Sequence, residues 1–140
     1  MTPTITAAIA ADLVNALGKA FRSGDVTAVL QCFAADGDVL YAGSEIDEVA
    51  IGAPALTSLL EELFARNERY SWQSSTAHVL VCTAGAVVVA DAALAVHAVA
   101  DGAAIETDVP YRISGLLEPA HDHWVWRMCQ SAEPTVPGTA

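Results

Sequence analysis

A chain of 140 residues is the length of one domain and can bury a substantial core. Although 54% of its residues are hydrophobic, no apolar run approaches the length of a membrane span. Six Lys and Arg against 17 Asp and Glu give a net charge of −11, which repels nucleic acid and anionic membranes and favours solubility. Neither partner is expected.

The three cysteines, Cys32, Cys82 and Cys129, are odd in number and far apart, with no CxxC and no Cys/His cluster at metal spacing. All three sit in apolar patterns and read as buried free thiols of a reducing compartment. The N-terminus lacks a basic region followed by a compact apolar one, so a cytoplasmic protein without a signal peptide is expected. There is no phosphate-binding glycine loop and no nucleophile elbow, and no cofactor or metal is expected.

Along the chain, 6–21 reads as a helix. Ile9, Leu13, Leu17 and Phe21 recur every fourth residue and, with Val14, form one apolar stripe. Ser23-Gly24 ends it, and Asp25 can cap a short second helix that turns Val26, Val29, Leu30 and Phe33 inward. Asp36-Gly37 is a turn, 38–41 a short strand, and 49–51 its hairpin partner across an acidic loop, 43–48. Glu45, Asp47 and Glu48 lack EF-hand spacing and read as a solvated loop. Pro54 suits the first turn of a third helix, with Leu56, Leu59, Leu60, Leu63 and Phe64 on its buried face. This helix is expected to be a main lid on the sheet.

Four long strands follow, near 70–82, 86–99, 104–118 and 122–131, separated by turn signals at Ala84-Gly85, Asp101-Gly102 and 118–123. The second spans roughly 46 Å at about 3.3 Å per residue, too long to stay flat in a small domain, so the sheet must coil or bulge. Turn positions fix the register, and a period of two fixes the faces. A two-residue turn at Asp101-Gly102 sets Val96 opposite Thr107, Leu94 opposite Val109, Asp91 opposite Arg112 and His97 opposite Glu106. A turn at Ala84-Gly85 sets His78 opposite Asp91. One near Pro119-Ala120 sets Ile113 opposite Trp126 and Arg112 opposite Arg127. One face then collects Val79, Leu94, Val96, Val109, Tyr111, Ile113, Trp124, Trp126 and Met128, and must meet the helices. The other carries His97, Glu106, Asp108 and an ionic row His78–Asp91–Arg112–Arg127. The expected fold is α+β: three helices packed on a strongly bent antiparallel sheet of about six strands, forming a cone. The domain covers 1–131, with a flexible tail at 132–140.

The order of these elements resembles the nuclear transport factor 2-like superfamily, in its SnoaL-like and ketosteroid-isomerase-like branch. The residues that carry the resemblance are Phe21-Arg22-Ser23-Gly24-Asp25 with Val26-Thr27-Ala28-Val29-Leu30, then Phe33-Ala34-Ala35-Asp36. The run Ile51-Gly52-Ala53-Pro54-Ala55-Leu56 and the closing Trp124-Val125-Trp126-Arg127 with Ser131-Ala132-Glu133-Pro134 complete it. The resemblance implies a cone with an apolar pocket, often in a dimer, but not a reaction, because the family includes isomerases, cyclases, dehydratases, epoxide hydrolases and non-catalytic modules. Isomerase chemistry needs a carboxylate base, a phenol and a protonated carboxylic acid. The corresponding positions hold Tyr41, Leu17 and Ile113, none of which can do that work.

Three readings follow. The first is a small apolar-ligand-binding protein, polyketide-cyclase-like or related to such an enzyme. Its pocket would be lined by Leu17, Tyr41, Leu94, Val96, Val109, Tyr111, Ile113, Trp126, Met128 and Gln130, with Gln73 and Thr107 on the same parity and Tyr41 and Tyr111 as the catalytic candidates. The second is an acid/base enzyme of epoxide-hydrolase type, using Asp91, Arg112 and His78, or Tyr41 with Asp38. The third is a non-catalytic homodimer joined through the outer sheet face, where Ala93 and Ala95 permit close packing.

Overall fold

A computed structural model describes residues 2–138. Helix α1 (Ala7–Ser23) starts where the Thr6 hydroxyl accepts the Ile9 N–H at 3.1 Å, and ends on Gly24, whose φ of 68° is the left-handed cap that glycine adopts without strain. The Asp25 carboxylate accepts the N–H groups of Thr27 and Ala28 and starts α2 (Val26–Leu30). Strands β1 (Leu40–Ala42) and β2 (Val49–Ile51) form the short hairpin, and α3 (Ala53–Phe64) carries Pro54 in its first turn. The long meander is β3 (Glu68–Val81), β4 (Ala86–Ala98), β5 (Ala104–Ala120) and β6 (His123–Ala132).

These six strands form one curled, unclosed sheet in the order β2-β1-β6-β5-β4-β3, with the helices on its concave side. The expected α+β cone is the observed architecture. All pairs are antiparallel except β1 with β6, which run parallel and set Tyr41 beside Cys129. The core fills the concave side: Val14, Leu17 and Phe21 from α1, Leu56, Leu60 and Leu63 from α3, and Trp72, Val88, Leu94, Ile113, Leu117 and Trp126 from the sheet.

The sheet bends at one-residue bulges, and each bulge moves side chains from one face to the other. Ser75 is the extra residue of β3, between the pairs Ser74–Ala92 and Thr76–Asp91. Thr107 and Asp108 lie in a bulge of β5 between Val109, opposite Leu94, and Glu106, opposite Val96, and Asp108 has a φ of 58°. Arg127 is the extra residue of β6, between Met128 opposite Leu116 and Trp126 opposite Leu117.

Several pairings therefore differ from the expected ones. Leu94–Val109 and Asp91–Arg112 pair as expected. His97 lies opposite Ala104 rather than Glu106, because β4 and β5 are joined through residues 99–103 rather than by a two-residue turn. His78 lies opposite Val89 rather than Asp91, because the β3–β4 turn closes between Cys82 and Gly85, one residue early. Ile113 lies opposite Ser131 and Arg112 opposite Ala132, because the last turn sits at His121-Asp122. The ionic row shrinks to one pair, Asp91–Arg112, at 2.9 Å with both side chains about half exposed, and such a pair contributes about 0.2–1 kcal/mol. Arg127 leaves the row. Its guanidinium donates to Glu118, to the Asp36 carboxylate and to the Asp36 and Asp38 carbonyls, tying the β1 approach to the last hairpin. Cys82, on the first turn, is exposed rather than buried, while Cys32 is half-buried and Cys129 buried.

The helix that rests closest on the sheet is α1, not α3. The Trp72 indole N–H donates to the Val14 carbonyl at 2.8 Å, and the Asn15 side chain accepts the Ser74 N–H at 2.7 Å. A Cβ on Gly18 would lie 2.7 Å from the Trp72 carbonyl oxygen. Alanine in place of a helical glycine ordinarily gains about 1 kcal/mol, but here the obstacle is backbone of a paired strand and cannot yield. Gly18→Ala is therefore expected to lose about 1–3 kcal/mol of stability in urea unfolding, the reverse of the usual sign.

Candidate functional site

The concave side narrows to a cup of about 70 Å³, lined by Phe21, Tyr41, Leu63, Tyr70, Trp72, Leu94 and Tyr111, with Ser44, Glu45, Glu48, Arg66 and Glu133 among its polar lining residues. Its walls are a connected aromatic cluster. Phe21 lies 5.0 Å from Trp72 and 5.8 Å from Tyr41, centroid to centroid, and Trp72 lies 5.7 Å from Tyr111. Ring separations of this kind suit tilted and edge-to-face contacts.

Tyr41 is brought in by β1, whose pairing with Ala50 and Cys129 turns it to the concave face. Tyr111 is brought in by β5 opposite Ala92. Burial pushes the Tyr41 phenol well above its ordinary pKa, reinforced by Tyr111, Cys129 and Glu48 and opposed by the Ser131 hydroxyl. Tyr111 is raised for the same first reason, with Ser131 and Ser44 opposing. Both phenols are thus neutral O–H donors at neutral pH, not bases. Ser131 is 3% exposed and faces both, yet its oxygen closes no hydrogen bond of ordinary geometry. A buried hydroxyl left in this condition costs stability unless something else meets it.

Glu48 is the residue that the sequence reading missed. Placed there in a solvated loop, it is only 8% exposed. Its own chain segment draws it in. Glu48 Oε1 accepts the Glu45 N–H at 3.0 Å, the Glu48 N–H donates to the Glu45 carbonyl at 3.0 Å, and the Gly43 N–H donates to the Glu48 carbonyl at 2.7 Å. Gly43 makes the room, since a Cβ there would stand 2.9 Å from Glu48 Oε1. The available signal was a glycine just after a strand, with a carboxylate five residues on, at the foot of the returning strand. Burial raises the Glu48 pKa; the Glu45 N–H and the Arg66 charge oppose it, while Glu45 and Asp47 add to it.

Of the other residues expected to line a pocket, Leu94 lines the cup beside the two tyrosines. Leu17, Ile113 and Trp126 are fully buried and Val96 nearly so, all packed in the core, and Val109 is partly buried against it. The Trp126 indole N–H is buried without a partner. Met128 and Gln130 are corrections: the Arg127 bulge turns both to the outer face, and Cys129 and Ser131 take the concave positions. Gln73 and Thr107 likewise move outward at the bulges of β3 and β5. The Asp91–Arg112 pair lies on the convex face, away from the cup, and His78 is exposed and does not join it. Asp38 is exposed while Tyr41 is buried, so no dyad forms between them.

A larger concavity, about 700 Å³, runs between α1 and the outer face, lined by Asp12, Lys19, Arg22, Gln73, His97 and Asp108 among others. Arg22 Nη1 meets His97 Nε2 there at 3.0 Å. It is an open groove without a buried titratable group, whereas the cup holds Glu48, Tyr41 and Tyr111, and perturbed buried groups are the better sign of chemistry. Among the described residues no set of three His, Cys, Asp or Glu side chains could hold a metal ion, and no helix is long and apolar enough to cross a membrane.

The model of the SnoaL-like domain matches residues 10–133. The chain belongs to the SnoaL-like family. Among solved structures, it is similar to an NTF2-like family protein from Streptomyces avermitilis provisionally named a dehydratase, at 14% identity and a TM-score of 0.72, covering 93% of this chain and 96% of that one. It is also similar to a protein from Novosphingobium aromaticivorans provisionally named an aromatic ring hydroxylase, at 18% identity and a TM-score of 0.73, covering 92% and 89%. ActVI-ORFA from Streptomyces coelicolor matches at 14% identity and a TM-score of 0.72, covering 92% and 97%. No curated protein matches the chain. At these identities the likenesses establish the SnoaL-like fold alone.

Because the folded pKa of Glu48 is raised, its contribution to stability is full below the unfolded carboxylate pKa and is lost as pH rises through the folded value. Gln in its place keeps an acceptor for the Glu45 N–H and carries no charge. Glu48→Gln is therefore expected to raise Tm relative to the parent at about pH 7–8, with the gain closing towards about pH 4. Scanning calorimetry across that range checks it.

Proposed function

We propose that the cup is a small-molecule site that grips a hydrogen-bond-accepting oxygen, such as a carbonyl, on an otherwise apolar ligand, and that Glu48 exchanges a proton with that ligand. The observation that carries this reading is the convergence of a buried carboxylate, Glu48, with two neutral phenols, Tyr41 and Tyr111, at one narrow cup. The phenols supply two O–H donors to the oxygen, in a dry setting where such bonds are strong. Glu48, whose pKa is raised by burial, is suited to take up or return a proton on a neighbouring carbon or oxygen.

The size of the cup limits what enters. Ligand pockets commonly run about 300–1,000 Å³, so a cup of about 70 Å³ admits the head of a ligand and leaves the remainder at the mouth. An acetyl group fits that description. The names of the Streptomyces avermitilis and Novosphingobium aromaticivorans relatives, a dehydratase and an aromatic ring hydroxylase, differ in reaction and point to no one substrate.

Binding of acetophenone, followed by titration calorimetry, tests the reading. Tyr111→Phe and Tyr41→Phe each remove one donor worth about 0.5–1.5 kcal/mol and are expected to weaken binding about threefold to tenfold. Unchanged affinity in both variants would leave the phenols without a role.

The outer sheet face supports a second reading, a homodimer. Leu80, Val87 and Val89 lie side by side there on β3 and β4 and are 69%, 40% and 37% exposed, with Ala93 and Ala95 further along β4. Such an apolar row is more than a monomer needs to expose. Light scattering of the parent at micromolar concentration is expected to give twice the chain mass, and Val87→Lys with Val89→Lys to give the monomer. A monomeric parent would refute the reading.

A further inference from the structure

Glu48 poses a question that hydrogen bonding to an oxygen does not answer. Buried carboxylates are ordinarily paired with a cation or held by several donors. Among the described residues, Glu48 forms no salt bridge, and the hydrogen bond its carboxylate makes is to the Glu45 N–H of its own loop. Arg66, the sole cation among the described residues that line the cup, reaches Glu45 instead, at 3.9 Å. Glu133 stands at the same mouth, so three carboxylates face one guanidinium. Phe21, Tyr70 and Trp72 line the same small volume. The Tyr70 hydroxyl is itself turned to a carboxylate, donating to Glu68 at 3.0 Å.

A buried carboxylate that forms no salt bridge and shares the Arg66 charge with Glu45, a second carboxylate at the rim and a set of aromatic walls have one complementary ligand chemistry. We infer that the molecule bound in the cup carries an ammonium group, seated between Glu48 and Glu133 and against the faces of Phe21, Tyr70 and Trp72. This rests on the reading of the cup as a small-molecule site and narrows its ligand class to amines. An ammonium restores to Glu48 the charge stabilisation that burial removed, and it is attracted by the negative faces of the rings. The carboxylates that disfavour an anionic ligand here act in its favour, as does the charge of −11 over the whole chain. The phenols remain available to hold an oxygen on the same molecule.

Three matched probes separate this inference from the one it rests on: acetophenone, 4-(aminomethyl)acetophenone and 4-acetylbenzoate. They are titrated into the full chain at neutral pH and low salt. The amine is expected to bind at least about tenfold more tightly than the neutral ketone and the carboxylate more weakly than both, with the spread shrinking at about 0.5 M salt. Glu133 is exposed beyond the end of β6, so Glu133→Gln leaves the fold intact. That variant is expected to erase most of the advantage of the amine over acetophenone, and Glu48→Gln to erase the rest. If the amine and the neutral ketone bind equally, the ammonium inference fails and the small-molecule reading survives. If none of the three binds, both fail.

Discussion

The indole of Trp72 does two things that the rest of the concave side relies on. Its N–H fastens α1 to β3 through the Val14 carbonyl, and its ring forms the wall between Phe21 and Tyr111. The close approach is possible because Gly18 has no side chain where α1 meets the Trp72 backbone, and because Asn15 answers the Ser74 N–H at the sheet edge. An exposed edge strand is a hazard for an otherwise open sheet, and here the helix covers part of it. The cup therefore exists as a by-product of edge protection: the helix that shields β3 also delivers Phe21 to the mouth.

The electrostatics of the cup invert the usual arrangement in which a charged group inside a protein is answered by its opposite. Burial raises the pKa of Glu48, Tyr41 and Tyr111 alike, so each is pushed towards its neutral form. Two neutral phenols and a carboxyl group disfavoured in its charged form then share one small space. Polar groups arranged in this way are costly when empty, and natural proteins tolerate the cost chiefly where a ligand or a reaction uses them. That cost separates the cup from the wider, wetter groove beside Arg22 and His97.

Most of the fold was legible in the sequence because its elements are long and strongly patterned. The stripe of Ile9, Leu13, Leu17 and Phe21, the Asp25 cap and the Pro54 start each correspond to an observed helix, and the four long strands fall within about two residues of their expected limits. The sheet faces were legible only as far as the first bulge. Leu94, Tyr111, Ile113 and Trp126 turn inward as period two requires, whereas Gln73, Thr107, Met128 and Gln130 lie beyond Ser75, Asp108 or Arg127 and turn outward. An inserted residue leaves no mark on the composition of a strand, so alternation alone cannot locate it. Of the residues lining the cup, Tyr111 was placed by parity and Tyr41 by its position in the family resemblance. Glu48 was not, because an acidic hairpin loop reads as solvent-facing until its backbone is seen to fold back on its own carboxylate.

The parallel pairing of β1 with β6 has a bearing on how the protein reaches its working form. Tyr41 gains its place only when Leu40–Ala42 docks alongside Met128–Gln130, two segments separated by most of the chain. Contacts of such high sequence separation carry a large loop-closure cost and form late. The hairpins of β3 to β6 can zip from their turns, each residue beside the last. The wall of the cup that holds Tyr41 must wait for that zipper to finish. A folding intermediate with an intact meander would thus carry native-like strands and still lack the wall of the cup that holds Tyr41, so burial of that tyrosine would trail recovery of β-structure during refolding.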